Sequence, residues 1–161
     1  MRTVLRMTYS KNSSSRKKVF NVAISSYALR KIEEHTNKPY EQIGFLVGEL
    51  NQEGLVIRNA ICGEGDANGC CSIISAECLA KIADEIVSGR TNGRIVGWYH
   101  SHIGAGVFMS ETDVQTQLRL QQFSPYVVAL VIDTVAREFG VFSYEPHQGL
   151  VQIPEEHIRV I

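Results

Sequence analysis

Arg94-Ile95-Val96-Gly97-Trp98-Tyr99-His100-Ser101-His102 is an apolar, strand-like run that ends in two histidines one residue apart. Residues i and i+2 of a strand face the same way, so His100 and His102 are expected to present their imidazoles side by side. A glycine-bearing loop follows and closes on Ser110-Glu111-Thr112-Asp113, a helix-start signature that predicts Asp113 in the first turn of a helix. Taken alone, Ser-x-x-Asp is a capping box more often than a source of ligands. Beside His-x-His, the loop returns the carboxylate to within a helical turn of a fixed point. Two imidazoles and a carboxylate that converge describe a divalent-metal site with an open position.

Outward from this stretch, strand and helix patterns alternate. Upstream, Lys18 to Ile24 reads as a strand, and Ser25 or Ser26 caps a helix to about Asn37 with Leu29 and Ile32 on its apolar face. Tyr40 to Gly48 is a buried strand bracketed by glycines. A hairpin turn over Leu50–Gly54 leads to a strand from Leu55 to Ile61. A loop from Gly63 to Gly69, a short strand from Cys70 to Ile74 and a helix capped by Ser75 and ended by Ser88-Gly89 come next; Leu79, Ile82, Ala83, Ile86 and Val87 form its apolar stripe. Downstream, a helix runs from Glu111 to about Gln122, and Tyr126 to Ile132 is apolar throughout, as a central strand covered on both faces would be. Asp133-Thr134 turns into a strand from Phe139 to Tyr144, and the tail from Leu150 offers one more. Hairpins among the helical crossovers predict an α/β fold with a curved mixed sheet flanked by helices, not a purely parallel one.

A chain of 161 residues fits one domain with a core of its own, and its composition is that of an ordinary globular protein. No apolar run is long enough to span a membrane. Cys62, Cys70, Cys71 and Cys78 form no CxxC pair and are read as reduced thiols, in a cytoplasmic compartment. The net charge of −1 is lopsided: Arg2, Arg6, Lys11, Arg16, Lys17 and Lys18 open the chain with no acid among them. Residues 1–17 are therefore expected to be a basic arm, docking on an acidic partner or on the domain formed by residues 18–161. The same composition is that of a transit peptide. The rest of the chain carries no basic face of the kind nucleic acid requires.

Neutral imidazoles with a carboxylate suit zinc, and three protein ligands leave the fourth tetrahedral position to water. Hydrolysis at such a site needs a base for the water's proton and a donor for the developing oxyanion. Ser110, at the mouth of the loop, offers a hydroxyl for the second task. Glu41, at the edge of an otherwise apolar strand, is a candidate for the first; an exposed acid at a strand start is the plainer reading. His35, His147 and His157 are read as ordinary surface or core histidines.

Together these residues resemble the JAMM (MPN+) metalloproteases. The resemblance rests on His100-Ser101-His102, seven residues, Ser110, two residues and Asp113, with Glu41-Gln42-Ile43-Gly44-Phe45-Leu46-Val47-Gly48 matching the upstream E-x-x-G-x-x-x-G element. It covers roughly Val19 to Tyr144 and looks most like the deubiquitinating subunits of the proteasome lid and signalosome, as a single domain of archaeal type. It implies a fold similar to that of the cytidine deaminases. It makes His100, His102 and Asp113 ligands of one zinc, Glu41 the general acid/base, Ser110 the oxyanion donor and Ser101 a residue that shapes the loop behind the ligands. The implied activity is cleavage after the C-terminal glycine of ubiquitin or a ubiquitin-like modifier, with a proteasome or ATPase complex as a partner and no role for nucleic acid or membrane. Close relatives have proline after the second histidine and Cys-Trp-Leu before the serine. Here Ile103 and Val107-Phe108-Met109 stand in those places, which makes them the candidates for lining a substrate groove.

Three rival readings are separable by experiment. A hydrolase of the same fold that trims a sulfur-carrier protein would prefer the carrier over isopeptide substrates. A non-catalytic MPN scaffold would hold zinc and cleave nothing. A two-His-one-carboxylate iron oxygenase would contain iron and consume oxygen, and would leave Glu41 and Ser110 without a role.

Overall fold

The computed structural model describes residues 5–7, 21–63, 88–90, 92–122 and 126–161, with the single positions Ala80 and Asp84. In chain order its elements are β1 (Arg6–Met7), β2 (Asn21–Ile24), α1 (Ser26–Thr36), β3 (Ile43–Asn51), β4 (Gly54–Cys62), β5 (Arg94–His102), α2 (Glu111–Gln121), β6 (Val128–Asp133), β7 (Glu138–Glu145), β8 (Gly149–Gln152) and β9 (Ile158–Val160). A single 3-10 turn, Glu155–His157, precedes β9. The expected strand from Cys70 to Ile74 lies outside the described residues, as do Cys70, Cys71, Cys78 and most of the helix expected after Ser75. Within that helix Ala80 and Asp84 are helical, and the Ser88 N–H donates to the Asp84 carbonyl at 2.9 Å.

All described strands belong to one mixed sheet, ordered β1-β7-β6-β5-β3-β4-β2-β9, with β8 also paired to β7. The histidine strand β5 is central. It runs parallel to β6, with His100 opposite Val131 and His102 opposite Asp133, and antiparallel to β3, with Ile43 opposite His100. Every residue of β6 is buried, which explains its unbroken apolar sequence. Two edge pairings had no clear sequence signal: β9 lies parallel to β2, and Arg6–Met7, within the basic N-terminal segment, lies parallel to Glu138–Phe139.

Alternation along the strands divides the core in two. On the α1 face, Val22, Ile24, Leu46, Ile57, Tyr99, Leu130 and Ile132 pack with Ala28 and Ile32 of the helix. On the α2 face, Ile43, Phe45, Trp98, Ala129, Val131 and Phe142 pack with Leu120. The Ser25 hydroxyl accepts the Ala28 N–H at 3.0 Å and so starts α1. Helix α1 buries Ala28, Ile32 and Thr36 most deeply, with Leu29 only partly covered. A bulge at Leu46/Val47 shifts the β3–β5 register. Because of it Val96 faces α1 while Trp98, two residues on, faces α2.

Strand β3 begins at Ile43, not at Tyr40 as the sequence predicts. The reason is local. The Gln42 N–H donates to the Ser101 hydroxyl at 2.8 Å, while the Ser101 N–H donates to the Gln42 carbonyl at 3.0 Å. One side chain thus replaces a ladder carbonyl, and Glu41 is left exposed just ahead of the regular strand.

Candidate metal centre

His100 and His102 leave the C-terminal end of β5 on the α2 face, and the loop from Ile103 to Met109 folds back so that α2 begins beside them. At its start the Ser110 hydroxyl accepts the Asp113 N–H at 3.2 Å, and Asp113 Oδ2 accepts the Ser110 N–H at 2.8 Å. The capping box is therefore present, and so is the convergence. Asp113 Oδ2 lies 3.0 Å from His100 Nε2 and 3.8 Å from His102 Nε2, and the two Nε2 atoms are 3.2 Å apart. All three side chains are buried. Bonds of 2.0–2.1 Å from nitrogen and oxygen would set tetrahedral donors about 3.3 Å apart, so the three atoms are spaced to hold an ion of zinc's size.

Each imidazole is oriented from behind. His102 Nδ1 donates to the Gly106 carbonyl at 2.8 Å, which directs the Nε2 lone pair towards Asp113 and His100. His100 stacks on Trp98, with ring centroids 4.9 Å apart and planes 15° from parallel. The Trp98 indole N–H donates to Gln117 Oε1 at 2.8 Å, and Gln117 donates to the Val127 carbonyl at 2.7 Å. His100 Nδ1 is buried and finds no hydrogen-bond partner among the described residues, so the indole face is what orients this ring.

The electrostatics favour a cation. Burial pushes the Asp113 carboxyl up, but hydrogen bonds and charge from His100 and His102, together with the Ser110 N–H, outweigh it and hold the group well below the usual carboxylate range. Burial likewise depresses His102. Asp113, the Gly106 carbonyl and the charge of Glu41 overcome it and raise the imidazole above its ordinary value.

Glu41 reaches the site by register. Ile43 is opposite His100, and the Gln42–Ser101 hydrogen bonds carry the pairing one step further, which brings Glu41 level with His102. Among the four loop positions singled out in the sequence, Ile103 and Phe108 are exposed, and Phe108 leans on the His102 ring at a centroid distance of 4.7 Å. Val107 and Met109 turn instead towards the core on the α2 face. His35 donates to or accepts from the Tyr99 hydroxyl at 2.7 Å on the opposite face of the sheet, and His157 pairs with Asn21 at 3.0 Å; neither joins the centre. Sequence reasoning missed Trp98 and Gln117 as supports. An indole two residues before His100 on the same strand face was the available signal.

A profile described as JAB1/Mov34/MPN/PAD-1 ubiquitin protease matches residues 17–126, well over half of the chain. The chain belongs to this JAMM/MPN+ family. Similar proteins include the NAD(+) hydrolase TcpA of Theionarchaea archaeon (strain DG-70-1), 36% identical over 124 residues, which are 74% of this chain and 36% of the relative. The ubiquitin carboxyl-terminal hydrolase RPN11 of Saccharomyces cerevisiae is 31% identical over 118 residues, 71% of this chain and 39% of that protein. The 26S proteasome non-ATPase regulatory subunit 14 of Dictyostelium discoideum is 30% identical over 144 residues, 87% of this chain and 47% of the relative. The chain therefore spans less than half the length of these relatives. In this JAMM/MPN+ chain the His100–His102–Asp113 cluster is the described group of side chains able to hold a metal ion.

Proposed function

We propose that this JAMM/MPN+ chain is a zinc-dependent isopeptidase that hydrolyses the bond after the C-terminal glycine of a ubiquitin-like modifier, in the cytoplasm. The observation that carries the reading is the meeting of His100, His102 and Asp113 with Glu41 level with His102 and Ser110 at the same helix start. Zinc held by the three donors would polarise a carbonyl and bring the pKa of a water to about 7.

The chain's own groups then divide the work. Glu41 takes the proton of the attacking water as the new C–O bond forms, and delivers it to the lysine amine as the C–N bond breaks. The Ser110 hydroxyl oxygen is occupied as an acceptor for the Asp113 N–H, which leaves its proton free to donate to the oxyanion. Ser101 positions Glu41 indirectly, since it holds the Gln42 backbone through its hydroxyl and its N–H. Ile103 and Phe108 form the apolar rim that a modifier's extended tail would meet. The name of the Dictyostelium discoideum relative, a 26S proteasome subunit, supports assembly with a proteasome-like complex as part of the same reading.

The test is to assay the zinc-loaded protein against fusions of candidate ubiquitin-like modifiers, a sulfur-carrier fusion and NAD(+), each with and without chelator. Chelator-sensitive release of the modifier is the expected result. Bound zinc with no cleavage of any fusion would overturn the reading in favour of a scaffold.

A further inference from the structure

The Asp133 carboxylate, at the end of β6, is 1% exposed and takes part in neither the proposed chemistry nor the ligand set. It lies outside residues 17–126 that match the family profile. No cation faces it in any described contact. Four backbone N–H groups do instead. Oδ1 accepts from Gly104 at 2.9 Å, Val135 at 3.0 Å and Ala136 at 3.2 Å, and Oδ2 accepts from Gly106 alone at 2.6 Å. The bonds to Val135 and Ala136 are those of any aspartate that starts a turn. Those to Gly104 and Gly106 are different, because they reach 29 and 27 residues back to the loop that leaves the histidine strand.

Both glycines have positive φ, 76° at Gly104 and 97° at Gly106, so the loop runs through a conformation that most side chains avoid. Gly106 is held by its N–H to Asp133 and by its carbonyl to His102 Nδ1, at 2.6 Å and 2.8 Å. We propose that Asp133 is a positioning residue for His102: it anchors Gly106 from behind, and the Gly106 carbonyl fixes the tautomer and aim of the imidazole. The inference rests on the reading of His102 as a metal ligand. A partner that hydrogen-bonds the other ring nitrogen of a ligating histidine, as the Gly106 carbonyl does here, typically affects metal affinity by about 10- to 100-fold, and Asp133 acts through that carbonyl.

The oxygens divide the labour in a way that makes Asp133→Asn selective. An amide that keeps its oxygen on the three donors at Oδ1 must turn its NH2 towards the Gly106 N–H, where two donors oppose each other. The variant should keep the β6–β7 turn and lose the Gly106 anchor. Gly106→Ala is the second probe; beyond the adjacent residues nothing lies within 4 Å of the added methyl, so it perturbs the left-handed backbone and the direction of the carbonyl.

Two readouts are taken on each variant: zinc affinity by competition with a chelator, and the His102 ring 15N and Nδ1–H signals of the metal-free protein. The expected result is a folded Asp133→Asn protein that has lost the wild-type Nδ1–H signal and at least tenfold in zinc affinity. A folded variant that keeps the wild-type signal overturns the inference. If Asp133→Asn does not fold, Gly106→Ala is read by the same criterion. Wild-type protein without zinc affinity, or affinity unchanged in His102→Ala, would count against the metal reading alone, and the ring spectrum of the metal-free protein still decides the role of Asp133.

Discussion

One carboxylate oxygen carries two tasks at the centre. Asp113 Oδ2 closes the first turn of α2 by accepting the Ser110 N–H, and the same atom faces both Nε2 atoms. His102→Ala and Asp113→Ala are therefore both expected to lose metal and cleavage together, which metal analysis after dialysis checks. Glu41→Gln is expected to separate the two: zinc stays bound, and turnover falls by at least about 100-fold, the lower end of what a general base contributes. Normal turnover by that variant would remove Glu41 from the chemistry. At this scale the convergence of His100, His102 and Asp113 was legible in the sequence, because the period of a strand and the signature of a helix start each announce a direction. The approach of Glu41 was not, since it depends on a hydroxyl from the neighbouring strand substituting for a backbone carbonyl. Asp133 was legible only as a turn residue, because its distant partners are backbone N–H groups with no side-chain pattern of their own.

Between elements, two contacts hold the helices and strands at the spacing the centre needs. Gln117 is fully buried and joins α2 to β5 through Trp98 and to the start of β6 through Val127. Gln117→Ala leaves a buried indole N–H and a carbonyl without this partner, which predicts a loss of about 1–3 kcal/mol in denaturant unfolding. On the other face, Gly44 lies against Tyr99 so closely that an added Cβ would overlap its ring. Gly44→Ala is expected to cost a further about 1–3 kcal/mol by displacing that buried side chain, measured in the same way. The strands with full burial or clean alternation were readable in advance. Strand β9 was not, because it has three residues and exposes two of them, so it carries no period to detect. Helix α2 was readable from its cap, not its face: it buries Asp113, Thr116 and Gln117 beside Leu120, a largely polar stripe with no apolar period to detect.

Across the molecule, stability is expected to follow protons and, on the proposed reading, metal. The four N–H groups hold the Asp133 carboxyl below its ordinary value against the opposing effect of burial. A carboxyl depressed in the folded state contributes stability that is fully present above the unfolded value of about 4 and is lost as pH falls through the folded one. Acid titration of unfolding should therefore show a decline below about pH 4 in metal-free protein, and Asp133→Asn should be less stable at neutral pH with a shallower decline. Bound metal would act in the opposite sense. Zinc at a free concentration 100 times its dissociation constant is expected to raise unfolding free energy by about 2.7 kcal/mol, a gain absent from His102→Ala in thermal scans. The chain holds a single tryptophan, and it is the one stacked on His100. Its emission is consequently a built-in probe of that imidazole: titration with a paramagnetic ion such as Co2+ should quench the fluorescence in proportion to occupancy, with no label attached and no substrate identified.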